Sequence, residues 1–284
     1  MANPRLTLRD LMARPGIVVA PGAADGLTAK LVQSIGFDAV HCTGGGISRS
    51  MGLADVGFMT LTDLVARVAN IADVCDLPLI VDGDSGYGGA LNLTRAVSLL
   101  EAAGASAIHI EDKEVPRRAR DPLSNIVDAA EMVGRVKAAL GARASPDFMI
   151  IARTEVFPVL GLDAAIERAN RYADAGADLV YVEYLKTRAD IEAVARRVSA
   201  PKVINRNKGE GESLAADVLA EMGYDILIVA ADAQLAALFN MRAVLEHLKA
   251  HGSTETFRAI ATFADRDEVI GLAAVRAIED EYLP

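Results

Sequence analysis

Short apolar runs rich in β-branched residues recur along the chain, each followed by a longer stretch whose apolar positions return every three or four residues. The runs are GIVVAP (16–21), DAVHCT (38–43), PLIVD (78–82), SAIHIED (106–112), FMIIAR (148–153), DLVYVE (178–183), PKVIN (201–205) and DILIVA (225–230). Runs apolar at nearly every position predict strands buried on both faces, as a parallel sheet requires. The intervening stretches, such as LNLTRAVSLLEAAGA (91–105) and GLDAAIERANRYADAGA (161–177), predict helices that stop at an Ala-Gly-Ala signal before the next strand. Eight such β-α units predict a (β/α)8 barrel. An open doubly wound sheet would need a Gly-x-Gly-x-x-Gly turn after its first strand, and VVAPGAADG does not supply one. The expectation is one barrel domain over residues 1–284, with 231–284 holding more helix than one unit needs and serving oligomerisation.

A barrel of this kind carries its active site where strands end and βα loops begin. Those places are polar here: Thr43 to Gly46 and then Asp55 after the second strand, Asp82 and Asp84 after the third, Glu111 and Asp112 after the fourth, Arg153, Glu183 and Asn205 after the fifth, sixth and seventh. Residues two apart on a strand share a side, so Asp82 and Asp84 are expected to converge, with Glu111 joining from the adjacent strand. Such an oxygen-rich, sulfur-free set suits hydrated Mg2+ or Mn2+. The alternative is that these acids are helix caps and loop ion pairs, that the glycines make an ordinary turn, and that Arg153 only neutralises its acidic neighbours.

The segment GDSG (83–86) also reads as the nucleophile motif of a serine protease. That reading needs an all-β scaffold with a suitably placed histidine. Here His41 and His109 lie inside predicted strands, and His247 and His251 in the C-terminal helical region. A nucleophile elbow is excluded too, because Tyr87 stands where Gly-x-Ser-x-Gly requires glycine.

Composition narrows the partners. A formal net charge of -10 disfavours nucleic acid and anionic membrane. No apolar stretch approaches a membrane span, and the amino terminus has no signal-peptide core, so a cytoplasmic protein is expected. Cys42 and Cys75 lie in apolar context without metal-ligand spacing and read as packing residues.

Several motifs in order resemble the isocitrate lyase/phosphoenolpyruvate mutase superfamily: TGGG followed by GLAD, then VDGDSGYGG, EAAGASAIHIEDK, IIART and GLDAAIERANRYADAGAD. The resemblance runs nearly the whole length. It implies that Asp82 and Asp84 surround Mg2+ or Mn2+, mostly through its waters, with Glu111 nearby and Asp55 reaching in. It implies that Thr43, Gly44 and Gly45 offer donors to a carboxylate or enolate oxygen, and that Arg153 clamps a carboxylate. It also implies a homotetramer, a dimer of dimers exchanging the last barrel helix. The loop EDKEVPRRARDP (111–122) departs from both branches. Ala119 falls where the lyase branch has its acidic cysteine and Asp121 near where that branch has a histidine; Ala119 also replaces a polar residue of the phosphonate branch. Glu183 and Asn205 resemble the lyase branch.

Breaking a bond beside a carbonyl carbon leaves an enolate, which a divalent cation and fixed N–H donors stabilise. The expected activity is therefore Mg2+-dependent carbon–carbon cleavage of a 2-hydroxy or 2-oxo dicarboxylate by retro-aldol reaction or decarboxylation. Arg153, Asp55, Glu183 and Arg117 would be catalytic, Asn205 would bind substrate, and Arg118 or its neighbours would hold a second carboxylate as the loop closes. The alternatives are a phosphonopyruvate hydrolase or mutase acting on a carbon–phosphorus bond, and a metal-dependent binding protein without turnover.

Overall fold

A computed structural model describes residues 6–115 and 125–283. Its strands are β1 (Val18–Ala23), β2 (Val40–Cys42), β3 (Leu79–Asp82), β4 (Ala107–Glu111), β5 (Met149–Thr154), β6 (Leu179–Val182), β7 (Lys202–Asn205) and β8 (Ile226–Val229). All pair in parallel and in sequence order, and β8 closes on β1. This is the expected (β/α)8 barrel, and every predicted run overlaps one strand, with β1 and β5 running past the ends of theirs.

The helices are α1 (Leu8–Met12), α2 (Gly26–Ile35), α3 (Gly44–Ser50), α4 (Leu61–Val74), α5 (Ala90–Ala102), α6 (Ala129–Ala142), α7 (Phe157–Asp174), α8 (Arg188–Arg197), α9 (Ala216–Glu221), α10 (Asp232–His251), α11 (Phe263–Ile270) and α12 (Leu272–Tyr282). Local chemistry sets their ends. Thr60 and Thr187 open α4 and α8 with capping boxes closed by Asp63 and Asp190. The Ala-Gly-Ala stops after α5 and α7 place Gly104 and Gly176 at φ of 98° and 103°, the left-handed conformation in which a side chain would be strained.

Strand alternation divides the core in two. Val40, Cys42, Val81, Ile108, Ile110, Ile150 and Val180 point outward and pack under the helices. Ile80, Ala107, Met149, Ile151, Leu179, Val203 and Ile228 point into the barrel, where Leu8 and Leu11 of α1 join them. Aliphatic packing fills the barrel beneath its C-terminal rim, so polar groups of the next layer lie on an apolar floor. Cys42 and Cys75 are both buried, and neither forms a disulfide.

After β8 the chain runs through α10, α11 and α12; α10 touches β1 and α11 lies against α2. None of the residues of these three helices is buried. No described helix is long and apolar enough to cross a membrane.

Candidate active site

The alternation that sends aliphatic residues inward lower in the barrel sends His41, Asp82, His109, Glu111, Arg153, Tyr181, Glu183 and Asn205 inward near its C-terminal rim. Sheet register sets them side by side: Asp82 pairs with His109, Glu111 with Arg153, and Arg153 with Tyr181. A cavity of about 450 Å³ opens above them.

Asp82 is the acid at its floor. Oδ1 accepts from the Asp84 amide at 3.2 Å and lies 3.5 Å from His109 Nδ1. That leaves Oδ2 as the oxygen not engaged by a hydrogen bond. It sits against Gly44, where an added Cβ would lie 3.0 Å from it, a contact tighter than side chains ordinarily make. His41, Asp82 and His109 each offer one ligand-type atom, and these lie within 4.8 Å of one another. Burial drives the His41 pKa down to about 3, with His109 adding to the effect.

Arg153 forms the opposite wall. It donates to Glu155 through a very short contact and pairs with Glu183 at 3.1 Å and, from Nε, with Glu111 at 3.9 Å; its guanidinium lies 5.0 Å from the centre of the Tyr181 ring. Burial opposes its charge, but Glu155 and Glu183 outweigh burial and hold the group protonated far beyond neutral pH. The Tyr181 hydroxyl donates to Glu183. Burial first, and the Glu183 charge next, raise the tyrosine pKa well above its ordinary value, so the proton stays on the phenol. Glu155, fully buried, also receives Lys113 and the Tyr184 hydroxyl. Tyr184 lines the cavity at φ 67°, a left-handed backbone that a tyrosine adopts only under constraint.

The third wall differs from the expected loop. Thr43 to Gly46 opens a helix and not a loop: Thr43 caps α3, its hydroxyl accepting from the Gly46 amide, and the three glycines form the first turn of that helix. Asp55 lies across from them, 3.8 Å from Arg49, and both line the cavity. Gln234 of α10 donates to the Gly46 carbonyl at 2.9 Å and ties the C-terminal helix to this wall. Asn205 lies on the rim with Asn207 and Glu210; its Oδ1 is buried without a hydrogen-bond partner.

Strand alternation does not carry as far as Asp84. The strand ends at Asp82, and Asp84 has φ 46° and lines a small cavity with Ser85 and Tyr87. Glu111 is buried; its Oε1 accepts from Ser85 and its Oε2 faces Arg153. The Ser85 hydroxyl donates to a carboxylate, Glu111, and among the described residues no histidine hydrogen-bonds it, which removes the nucleophile reading. Asp112 is structural, accepting from Thr154, Arg168, Tyr172 and the Glu155 amide. Arg117, Arg118, Arg120, Ala119 and Asp121 lie outside the described residues.

His41, His109 and Tyr181 went unrecognised as site residues although a signal existed: strict alternation puts them on the face of Asp82 and Arg153. Glu155, Tyr184 and Arg49 lie beyond strand ends, where alternation carries no information.

A closed parallel barrel with a carboxylate-lined, arginine-bearing cavity at its C-terminal rim has the architecture of a barrel enzyme. The phosphoenolpyruvate phosphomutase family model matches residues 8–249, and the chain belongs to that family. It is 35% identical to the 2,3-dimethylmalate lyase of Eubacterium barkeri, over 99% of this chain and 98% of that one. Phosphoenolpyruvate phosphomutase from Streptomyces platensis subsp. rosaceus superposes with a TM-score of 0.91 at 29% identity, covering 98% of each chain. Phosphonopyruvate hydrolase in complex with oxalate and Mg2+ superposes with a TM-score of 0.86 at 31% identity, covering 94% of this chain and 95% of that one.

Proposed function

We propose that this enzyme cleaves a carbon–carbon bond of a 2-hydroxy or 2-oxo dicarboxylate, with Mg2+ or Mn2+ held at Asp82. The observation that carries this reading is the pairing, across one cavity, of a carboxylate oxygen left without a hydrogen bond and a guanidinium that buried carboxylates keep charged. The donor set is oxygen-rich, as a hard divalent cation requires. Asp82 would hold the cation, with Asp55, Asp84 and Glu111 around it through water. Such a cation supplies positive charge to the oxygen on which charge develops as the bond beside the carbonyl breaks.

The chain's own groups do the rest. Arg153 binds a substrate carboxylate through its planar N–H edge. Thr43, Gly44 and Gly45 present donors from the facing wall. Glu183, held by Tyr181 and Arg153, is placed to take the proton of a 2-hydroxyl group as the bond breaks. Asn205 offers its unpartnered amide oxygen at the rim. Arg49, which lines the cavity, is a candidate for the second carboxylate, as Arg117 and Arg118 are on the resemblance of the sequence. The relation to a dimethylmalate lyase along nearly the whole chain favours carbon–carbon over carbon–phosphorus cleavage.

A panel of hydroxy and keto dicarboxylates, assayed for release of pyruvate or another keto acid with Mg2+, tests this reading. Phosphate release from phosphonopyruvate, with no product from any dicarboxylate, would assign the alternative chemistry. Oxalate, which resembles the enolate of pyruvate, is expected to bind in the presence of Mg2+ and to lose binding when EDTA removes the metal. Calorimetry showing undiminished oxalate binding in metal-free protein would contradict the metal site.

The same reading includes a homotetramer, a dimer of dimers. Leu235, Leu238, Phe239, Met241 and Leu245 of α10 are exposed, as are Phe263, Val275 and Ile278 of the helices that follow. A solvent-facing apolar surface of this extent is unfavourable in a free monomer and suits the cover of a second copy. Light scattering is expected to give a mass above that of one chain at micromolar concentration; a monomer there would refute the assembly.

A further inference from the structure

Beneath Asp82 lie two buried imidazoles whose geometry is more restrictive than proximity alone. His41 Nε2 and His109 Nε2 are 3.0 Å apart, the ring centroids 5.2 Å apart and the ring planes 17° from parallel. The centroid separation exceeds the nitrogen separation by roughly one ring width, which is possible only when the rings meet head to head, nearly in line. One Nε2 must then carry hydrogen and the other a lone pair, because two N–H groups or two lone pairs would repel at this distance.

Asp82 decides which is which. His109 Nδ1 lies 3.5 Å from Asp82 Oδ1, and an ionised carboxylate only accepts. His109 therefore carries its hydrogen on Nδ1, which makes its Nε2 the acceptor and His41 Nε2 the donor. The remaining atom agrees. His41 Nδ1 is buried with no hydrogen-bond partner, and this tautomer leaves a lone pair there, where the alternative would strand a costlier N–H group.

We infer that His109 and His41 are positioning residues: a relay, hydrogen-bonded from His41 to His109 and electrostatic from His109 to Asp82, that fixes Asp82 Oδ1 from below and leaves Oδ2 to meet the cation. The inference rests on the proposal that Asp82 holds the metal. It assigns the imidazoles a supporting place, although all three residues are of ligand type and close together. The lone pair of His109 Nε2 is aimed at His41, and neither Nε2 is directed at a shared ion. Partners one shell out from a metal ligand set its orientation, and their loss typically lowers metal affinity about 10–100-fold.

Two measurements test the relay. On the wild-type chain labelled with 15N-histidine, long-range 1H–15N correlation is expected to show His109 protonated at Nδ1 and His41 at Nε2; the opposite tautomers, or a doubly protonated His109, would overturn it. This reading needs no variant and so does not depend on one folding. Mn2+ affinity, followed by electron paramagnetic resonance on the full chain, is expected to fall about tenfold or more in His109→Leu and in His41→Leu. It should return to near the wild-type value in His41→Gln, whose amide N–H can replace the lost donor, with circular dichroism confirming the fold of each. A structural role alone would lower thermal stability without this pattern of affinity. If Asp82→Asn abolishes Mn2+ binding while both leucine variants keep it, the relay is wrong and the metal site stands. If Asp82→Asn leaves binding unchanged, the metal site fails and the relay with it. A second Zn2+ per wild-type chain that disappears in His41→Leu would show the imidazoles ligating metal directly, and would also overturn the relay.

Discussion

Asp82→Asn is expected to lower kcat/KM for the active dicarboxylate by a factor of about a thousand or more, read at saturating Mg2+. The size follows from how the side chain is held. Oδ1 accepts from the Asp84 amide and lies 3.5 Å from His109 Nδ1, so an asparagine would keep its carbonyl oxygen there and turn its NH2 group to the place of Oδ2. The cation would then meet two hydrogens in place of an anionic oxygen, while shape and packing stay the same. Ser85→Ala provides the contrast. The Ser85 hydroxyl donates to Glu111 at 3.4 Å and does not line the main cavity, so its loss should cost about 1 kcal/mol of stability and leave turnover nearly unchanged. Should Asp82→Asn keep the wild-type rate while Ser85→Ala is inactive, a metal-assisted mechanism is untenable.

Arg153→Met is expected to abolish turnover and also to destabilise the fold by about 3–5 kcal/mol, because it strands buried carboxylates without their cation. Glu155 is fully buried and Glu183 nearly so, and Arg153 contacts both. Lys113 still reaches Glu155, which keeps the loss at the lower end for that residue. Arg153→Lys retains the charge but not the planar fork that spans two carboxylates. It should recover most of the stability and little of the activity. Urea denaturation and steady-state kinetics on both variants separate the two effects. Equal unfolding midpoints for wild type and Arg153→Met would show that the buried network does not depend on this cation.

Much of the site was legible before any coordinates because barrel strands alternate strictly. From β2 to β8 the period of two identifies which residues enter the barrel, and Asp82, Glu111, Arg153, Glu183 and Asn205 were all identified at strand ends. The same period also identifies His41 and His109, yet a histidine within an apolar run carries no mark separating a packed ring from a functional one. Their meaning comes from register, which sets His109 beside Asp82 on the neighbouring strand, and from the head-to-head contact of rings 68 positions apart in the chain.

The amino-acid sequence alone determined the barrel, the order of its strands and the rim on which the chemistry sits, because periodicity and helix-stop glycines are local properties of the chain. Only the tertiary structure decided which acids face the cavity. The backbone turns left-handed at Asp84 and takes that carboxylate out of alternation, while Thr43 caps a helix where a loop was expected. It also decided the charge state of the wall opposite Asp82: Glu155, two residues beyond Arg153, is brought by packing against Lys113, Arg153 and Tyr184 at once. Such a network depends on distances between elements far apart in the chain, and no spacing along the sequence encodes them.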